Sequence, residues 1–488
     1  MRKDRSLWAI LILGAALRLY GLGDRSLSYD ECQQFWAAQG NPLISNREIT
    51  LDPPLFAALL HIHSLASRAD LWLRLLPCLF GILAIPAVYH LARSASRDDR
   101  TARTAAFLFA LAPYPIRYSQ SLRVYSLTLL LCALLPAAFL AARNRGRRGD
   151  GWILAAILCA ALLTMYGAVW LFLGMGLYLV VTAAARGRSA DRWKGIAGLA
   201  AGAAGALPLY FLSLPTQLRQ GTPASFYEDK FPPPGGLLSA VRFMAEGTLD
   251  LSGYFSFIHP AAGILFGALA LFGMARLLRL REGRPAVFLL VFSVAAAAAA
   301  SMLRLYPYGG TRQMLFAAPL FHACAAAGIQ GLRPYRRGIF TAVILVAIAA
   351  GSGIFLARYH TGPGRQEMRP VARYLEEHLR PGDRILVNKD AIPQFRFYYR
   401  GDPAAVTWGR ETAVRDYLSE ANRILGAETS RRWWLVFSHG WSAARRSELA
   451  SVDPRFRAGE SFEAHQAAVY LFAPFASADG ASPAQSRP

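Results

Sequence analysis

The chain has 488 residues, 54% of them hydrophobic, and a formal net charge of +22 at pH 7. Apolar content this high excludes an ordinary soluble protein. The charge does not imply a nucleic-acid partner, because the arginines and lysines sit in short clusters between apolar stretches.

In chain order, about eleven stretches approach the ~20 residues that a helix needs to cross a bilayer. They are 7–22, 71–92, 104–117, 122–142, 152–166, 168–185, 195–214, 260–280, 285–303, 313–332 and 339–357. The basic clusters between them are Arg2/Lys3/Arg5, Arg93/Arg97/Arg100/Arg103, Arg143/Arg145/Arg147/Arg148, Arg186/Arg188/Arg192/Lys194, Arg276/Arg279/Arg281/Arg284 and Arg333/Arg336/Arg337. They recur at every second crossing, the positive-inside pattern, which predicts a cytoplasmic N-terminus. The first stretch continues into Leu19-Tyr20-Gly21-Leu22-Gly23 with no small-residue cleavage site, so it reads as a span and not as a cleaved signal.

This topology leaves 23–70, 215–259, 304–312 and everything after Arg358 on the outer side. Within the first loop, 32–39 and 55–67 are expected to form short helices, the second suited to lying in the membrane interface. Loop 215–259 contains Pro232-Pro233-Pro234-Gly235-Gly236, which excludes regular structure there, and is long enough to cover a site. Beyond 358 the composition becomes mixed. Helices at 367–379 and 412–425 and strands at 384–387, 433–437 and 468–472 predict a small α/β domain. The expected domains are therefore a membrane module over 1–357, a soluble extracytoplasmic domain over 358–475, and a disordered Ala/Ser/Pro tail over 476–488. Of five cysteines only Cys32 lies in the outer loop, and neither a disulfide framework nor zinc spacing is present.

Chemistry is expected at the outer surface. Carboxylates beside a bilayer are costly, and Tyr29-Asp30-Glu31 places two where the first span ends, with Asp52-Pro53-Pro54 placing a third in the same loop. On local grounds Asp30 can be a general base or the N-cap of a helix over 32–39. Asp52 can equally start a turn. Arg74, Arg123 and Arg312 also fall at the outer level, against the positive-inside preference. Each can snorkel to the interface, or together they can hold a lipid phosphate through bidentate contacts.

Several motifs in this order resemble the GT-C membrane glycosyltransferases, in particular the protein O-mannosyltransferase and aminoarabinose transferase group. They are Arg18-Leu19-Tyr20-Gly21-Leu22, Ser28-Tyr29-Asp30-Glu31, Asp52-Pro53-Pro54-Leu55, Leu73-Arg74-Leu75-Leu76-Pro77, Tyr118-Ser119-Gln120, Arg123-Val124-Tyr125 and Tyr306-Pro307-Tyr308-Gly309-Gly310-Thr311-Arg312. The resemblance is strong over 18–135, fair over 300–320 and architectural elsewhere. It implies a polytopic, mostly α-helical fold and transfer of a sugar, with inversion, from a polyprenyl-phosphate carrier to a glycan, lipid or protein acceptor. It further implies Asp30 as the base, Glu31 and Asp52 assisting or shaping the site, and Arg74, Arg123 and Arg312 holding the phosphate, with Tyr125 and Tyr306 in substrate binding. One departure stands out: the family often has Glu-Ala-Arg after Tyr-Ser-Gln, whereas this chain has Ser121-Leu122-Arg123. The carboxylates admit a divalent cation, although no His-rich ligand set supports one. His61 and His63, two residues apart, point to different helix faces, which favours interfacial packing over metal binding. Trp433-Trp434 is expected in the core of a sheet. Two other classes compete with an enzyme: a flippase for lipid-linked sugars and a scaffold with a degenerate site.

Overall fold

The computed structural model describes residues 5–41, 49–50, 52–145, 147, 149–186, 190–220, 224–256, 260–333, 338–362, 366–439 and 441–475. Arg2, Lys3, Arg148, Arg188, Arg336 and Arg337 of the basic clusters, and the tail 476–488, lie outside the described residues. The chain divides into two compact units, one of Met1–Gly23 with Gln34–Thr361, the other of Asp24–Gln33 with Gly362–Pro488. The ten residues that carry Asp30 and Glu31 thus group with the C-terminal part of the chain.

The helices of the chain up to 361 are α1 (Arg5–Leu19), α2 (Tyr29–Ala38), α3 (Leu55–Ser64), α4 (Asp70–Ser96), α5 (Asp99–Leu111), α6 (Pro113–Ser119), α7 (Tyr125–Arg145), α8 (Asp150–Leu162), α9 (Ala168–Arg186), α10 (Ala190–Gln220), α11 (Gly236–Phe255), α12 (Pro260–Leu278), α13 (Gly283–Met302), α14 (Ala318–Gly331) and α15 (Ile339–Thr361). Every apolar stretch read from the sequence falls mainly on helix, 104–117 on two. Among the described residues five segments are by themselves long and apolar enough to cross a membrane: α4, α13, α15, Tyr125–Arg143 of α7, and Arg312–Gly331. The protein is a polytopic α-helical membrane protein with a small C-terminal sheet domain.

Three local expectations change. The stretch 104–117 is broken, because Ala112 is extended (φ −61°, ψ 127°) before Pro113, which starts α6. A residue before proline is pushed out of the helical region. The helix expected from 32 begins at Tyr29, so Asp30 lies inside its first turn and does not cap it. Most of the described part of 215–259 is helical: Ala224–Lys230 forms a 3₁₀ helix and α11 follows, with residues 231–235 irregular between them.

Helix ends in this unit are tied by side chains. The guanidinium of Arg18, wholly buried, donates to Ala110 O (2.9 Å) and Phe109 O (3.3 Å) at the end of α5. Gln120 Nε2 in turn donates to Arg18 O (3.2 Å) and Tyr20 O (2.7 Å) at the end of α1. Such carbonyls have no partner within their own helix and none in lipid. Gly81 allows the approach: a Cβ there would stand 1.8 Å from Ser119 Oγ and 3.3 Å from Arg18 Nε.

The C-terminal unit has a five-stranded sheet of β1 (Arg384–Val387), β2 (Val406–Trp408), β3 (Trp433–Ser438), β4 (Phe456–Ala464) and β5 (Ala467–Pro474), in the order β2-β1-β3-β5-β4. β1 pairs parallel with β2 and β3, while β5 pairs antiparallel with β3 and β4. Helices α16 (Met368–His378), α17 (Ile392–Tyr398) and α18 (Val414–Ala427) complete the unit. Successive strand residues face opposite sides. Trp433 therefore packs with Tyr417, Leu418 and Phe437, and Trp434 with Val371, Leu375 and Phe395. Trp434 Nε1 also donates to Asp383 Oδ2 at 2.9 Å.

α12 and α14 meet at glycines. A Cβ on Gly273 would lie 1.8 Å from Cys324 O, and one on Gly328 would lie 1.9 Å from Leu269 O. Gly328→Leu is therefore expected to cost about 3 kcal/mol by forcing the pair apart, read as a lower melting temperature of the purified protein in detergent.

Candidate active site

At the start of α2, Ser28 N donates to Glu31 Oε2 at 2.9 Å, and Cys32 N donates to Ser28 O at 2.9 Å. This is the reciprocal half of a capping box, in which the third residue of a helix returns its carboxylate to the capping amide. Glu31 is buried and holds the first turn, and Asp30, beside it, is partly exposed. The preceding segment is fixed within the same unit. Ser26 donates through N (3.1 Å) and Oγ (2.7 Å) to Glu367, Leu27 O accepts from Gln394 Nε2 (2.9 Å), and Tyr29 N donates to Gln366 Oε1 (3.2 Å). Tyr29 Oη accepts from Gln33 Nε2 at 2.8 Å. Burial pushes the Tyr29 phenol up to about 12, helped by the charges of Asp390 and Asp30, so it remains protonated at neutral pH.

The membrane unit gathers a second group. Arg123 Nη2 lies 3.2 Å from Asp52 Oδ2, both side chains being mostly buried (12% and 20% exposed). The guanidinium of Arg123 stands over the Tyr125 ring at 5.7 Å and that of Arg312 at 5.9 Å. One aromatic face thus attracts two like charges that would otherwise repel. Arg312 Nη2 donates to Tyr227 Oη at 3.3 Å, and Gln313 Nε2 donates to the same hydroxyl. Tyr306 Oη donates to Gln313 O at 2.7 Å and its ring meets Trp170 edge-on at 5.5 Å. Asp52, Arg123, Tyr125 and Arg312 are therefore brought together, with Tyr306 joined through Gln313. Arg74 is also buried and donates to Leu22 O at 3.4 Å.

Other residues here escape sequence reading. Tyr118 and Tyr254 share a hydroxyl hydrogen bond, and the Tyr118 ring lies 4.6 Å from Tyr125. Asp250 accepts from Gly310 N (2.8 Å) and Lys230 Nζ (3.2 Å), bracing the Tyr306–Arg312 loop, where Gly309 takes φ +105°. Gln34 is wholly buried and its amide makes no hydrogen bond. The four-residue spacing of Tyr114 and Tyr118 was a usable signal; Tyr227 and Tyr254 lay in what read as a loop. His63 stacks on Trp72 at 4.7 Å, and both His61 and His63 hydrogen-bond backbone carbonyls at 2.7 Å. Among the described residues no three His, Cys, Asp or Glu side chains converge as a metal site would need.

Residues 52–211 match the family model described as dolichyl-phosphate-mannose-protein mannosyltransferase. That stretch includes Asp52, Arg74, Arg123 and Tyr125, and leaves Asp30, Glu31, Tyr306 and Arg312 outside it. The structure resembles ArnT from Cupriavidus metallidurans, solved with undecaprenyl phosphate, at TM-score 0.62 and 12% identity over 96% of this chain and 98% of that one. The chain has the fold of the GT-C glycosyltransferase superfamily. It also resembles an Archaeoglobus fulgidus oligosaccharyltransferase with zinc and sulfate (TM-score 0.56, 15% identity, 88% of this chain and 67% of that one). A third likeness is to AglB from the same organism with an inhibitory peptide and a dolichol-phosphate (0.54, 12%, 96% and 74%). No curated protein sequence matches.

Within this GT-C fold, the capping geometry separates the two acidic neighbours. Glu31→Gln keeps an oxygen for the Ser28 amide and is expected to leave stability within about 0.5 kcal/mol, whereas Glu31→Ala should lose about 1 kcal/mol. Thermal unfolding and hydrogen exchange at the Ser28 amide would measure both.

Proposed function

We propose that the protein is an inverting glycosyltransferase that moves a monosaccharide from a polyprenyl-phosphate carrier to an acceptor hydroxyl. It works on the outer face of a bacterial inner membrane, with the N-terminus cytoplasmic and the C-terminal unit outside. The observation that carries this reading is the pair of guanidiniums, Arg123 and Arg312, on one Tyr125 ring in a membrane-embedded unit. Two fixed cations at membrane level suit a lipid phosphate, which prefers bidentate donors and whose charge grows from one to two as the sugar leaves. The undecaprenyl phosphate in ArnT and the dolichol-phosphate in AglB, proteins of the same fold, support it.

In the proposed reaction the Asp30 carboxylate takes the proton of the acceptor hydroxyl. That oxygen forms a bond to the anomeric carbon as the bond from this carbon to the phosphate oxygen breaks, which inverts the centre. The transition state carries oxocarbenium character, and the charge left on the polyprenyl phosphate is met by Arg123 and Arg312, with Arg74 a further phosphate ligand. Asp52 holds Arg123 in place, Tyr125 and Tyr306 shape the substrate site, and Glu31 positions Asp30 through the cap.

Asp30→Asn removes the base and keeps the shape. It is expected to lower transfer by a factor of about 10² to 10⁴ while the protein inserts and melts as before, measured with a radiolabelled undecaprenyl-phosphate sugar. Full activity in that variant would overturn the assignment. Recovery of intact labelled donor on the opposite leaflet, without glycosylated product, would instead favour a flippase. Because the arginines supply the positive charge, activity is expected to survive EDTA. Loss on chelation, restored by Mg²⁺, would instead assign a divalent cation to the carboxylates.

A further inference from the structure

The C-terminal sheet reverses its connectivity at its centre. The chain leaves β1 through α17 toward β2 on one side, then returns through α18 to β3 and continues to β4 and β5 on the other. β1 and β3 are parallel neighbours, so their carboxyl ends lie side by side. In open α/β sheets the crevice beyond such a pair is where ligands bind. Asn388-Lys389-Asp390 leaves the end of β1, and Ser438-His439 ends and follows β3.

The Tyr29 segment sits at this same edge. Gln394 links Leu27 O (2.9 Å) to Ser438 Oγ, which donates to its Oε1 at 2.7 Å. The Tyr29 ring lies 5.0 Å from that of His439, and Gln366, which accepts from Tyr29 N, places its Nε2 3.2 Å from His439 Nδ1. The charge of Asp390 is felt at Tyr29, and that of His439 at Asp390.

Two features here stand out. His439 is exposed and takes φ +43°, a left-handed conformation uncommon for a non-glycine residue. Asp390 is half-buried, and among the described residues no hydrogen bond or ion pair engages its carboxylate; its backbone amide alone is used, donating to Asn388 Oδ1 at 3.0 Å. A half-buried carboxylate without donors is costly unless a ligand supplies them.

We propose that this edge recognises the acceptor, with Asp390 and His439 receiving adjacent hydroxyls of a saccharide next to Asp30. A carboxylate and an imidazole whose charges act on one another match the closely set hydroxyls of a sugar ring, with Gln366 orienting the imidazole. A peptide offers one hydroxyl at a time. The inference rests on Asp30 as the base that takes the acceptor proton.

The test uses the full-length protein in nanodiscs with labelled undecaprenyl-phosphate sugar. Methyl glycosides and lipid A are the saccharide probes, and a Ser/Thr-rich peptide is the comparison. Asp390→Asn is isosteric, and His439→Asn suits a left-handed backbone, so both should melt as the parent does. Each is expected to raise the KM for the saccharide probe about tenfold or more, with kcat and the donor KM within about twofold. Unchanged acceptor KM in both variants would overturn the inference. So would a loss confined to kcat, or no transfer to any saccharide probe. Asp30→Asn, run alongside, keeps the two readings apart: if it is inactive while Asp390→Asn and His439→Asn behave as the parent, only the acceptor assignment falls. If Asp30→Asn is active, the base falls and this inference with it.

Discussion

Backbone carbonyls at a helix end have nowhere to turn inside a membrane, and the membrane unit answers this with two side chains. Arg18 reaches from α1 to the end of α5, and Gln120, just after α6, reaches back to the end of α1. Each satisfies the carbonyls its neighbour cannot. The break at Pro113 needs Arg18, the exit of α1 needs Gln120, and the helices crowd closely enough only because position 81 carries no side chain. The motifs around Arg18, Gly81 and Tyr118-Ser119-Gln120 therefore act together as structure. They hold the helix ends in place.

A charge that must be kept near lipid is held in the same spirit. Arg123 and Arg312 both stand over the Tyr125 ring, and Asp52 offsets one of them. The ring attracts both cations without neutralising either. Tyr227 and Gln313 then fix the orientation of Arg312. In the C-terminal unit, the acidic segment is gripped by Glu367, Gln394 and Gln366, far along the chain. These contacts give Asp30 a defined backbone while its own side chain stays partly exposed.

Much of this was legible in the residues. Apolar runs recur at spanning length because a bilayer imposes one, and each falls mainly on helix, 104–117 on two. β1 matches its expected range, since short apolar runs between turn signals read plainly as strands. β2 and β4 were not legible: β2 has three residues and β4 is largely exposed, so neither carries an apolar alternation. α11 was hidden by its prolines and glycines, which mark only the segment before it. The cap was visible as Ser28-x-x-Glu31, yet the helix was read as starting at 32, which left Asp30 open as base or cap.

By itself the sequence determined a polytopic helical membrane protein, a small α/β unit after it, and the acidic and basic residues near the ends of the apolar stretches. These follow from composition and periodicity, which act within a few residues. Only the tertiary structure decided that two arginines share Tyr125 and that the Asp30 segment groups with the C-terminal sheet. Those pairings join positions up to several hundred residues apart. They depend on which surfaces pack together, and no local pattern encodes that.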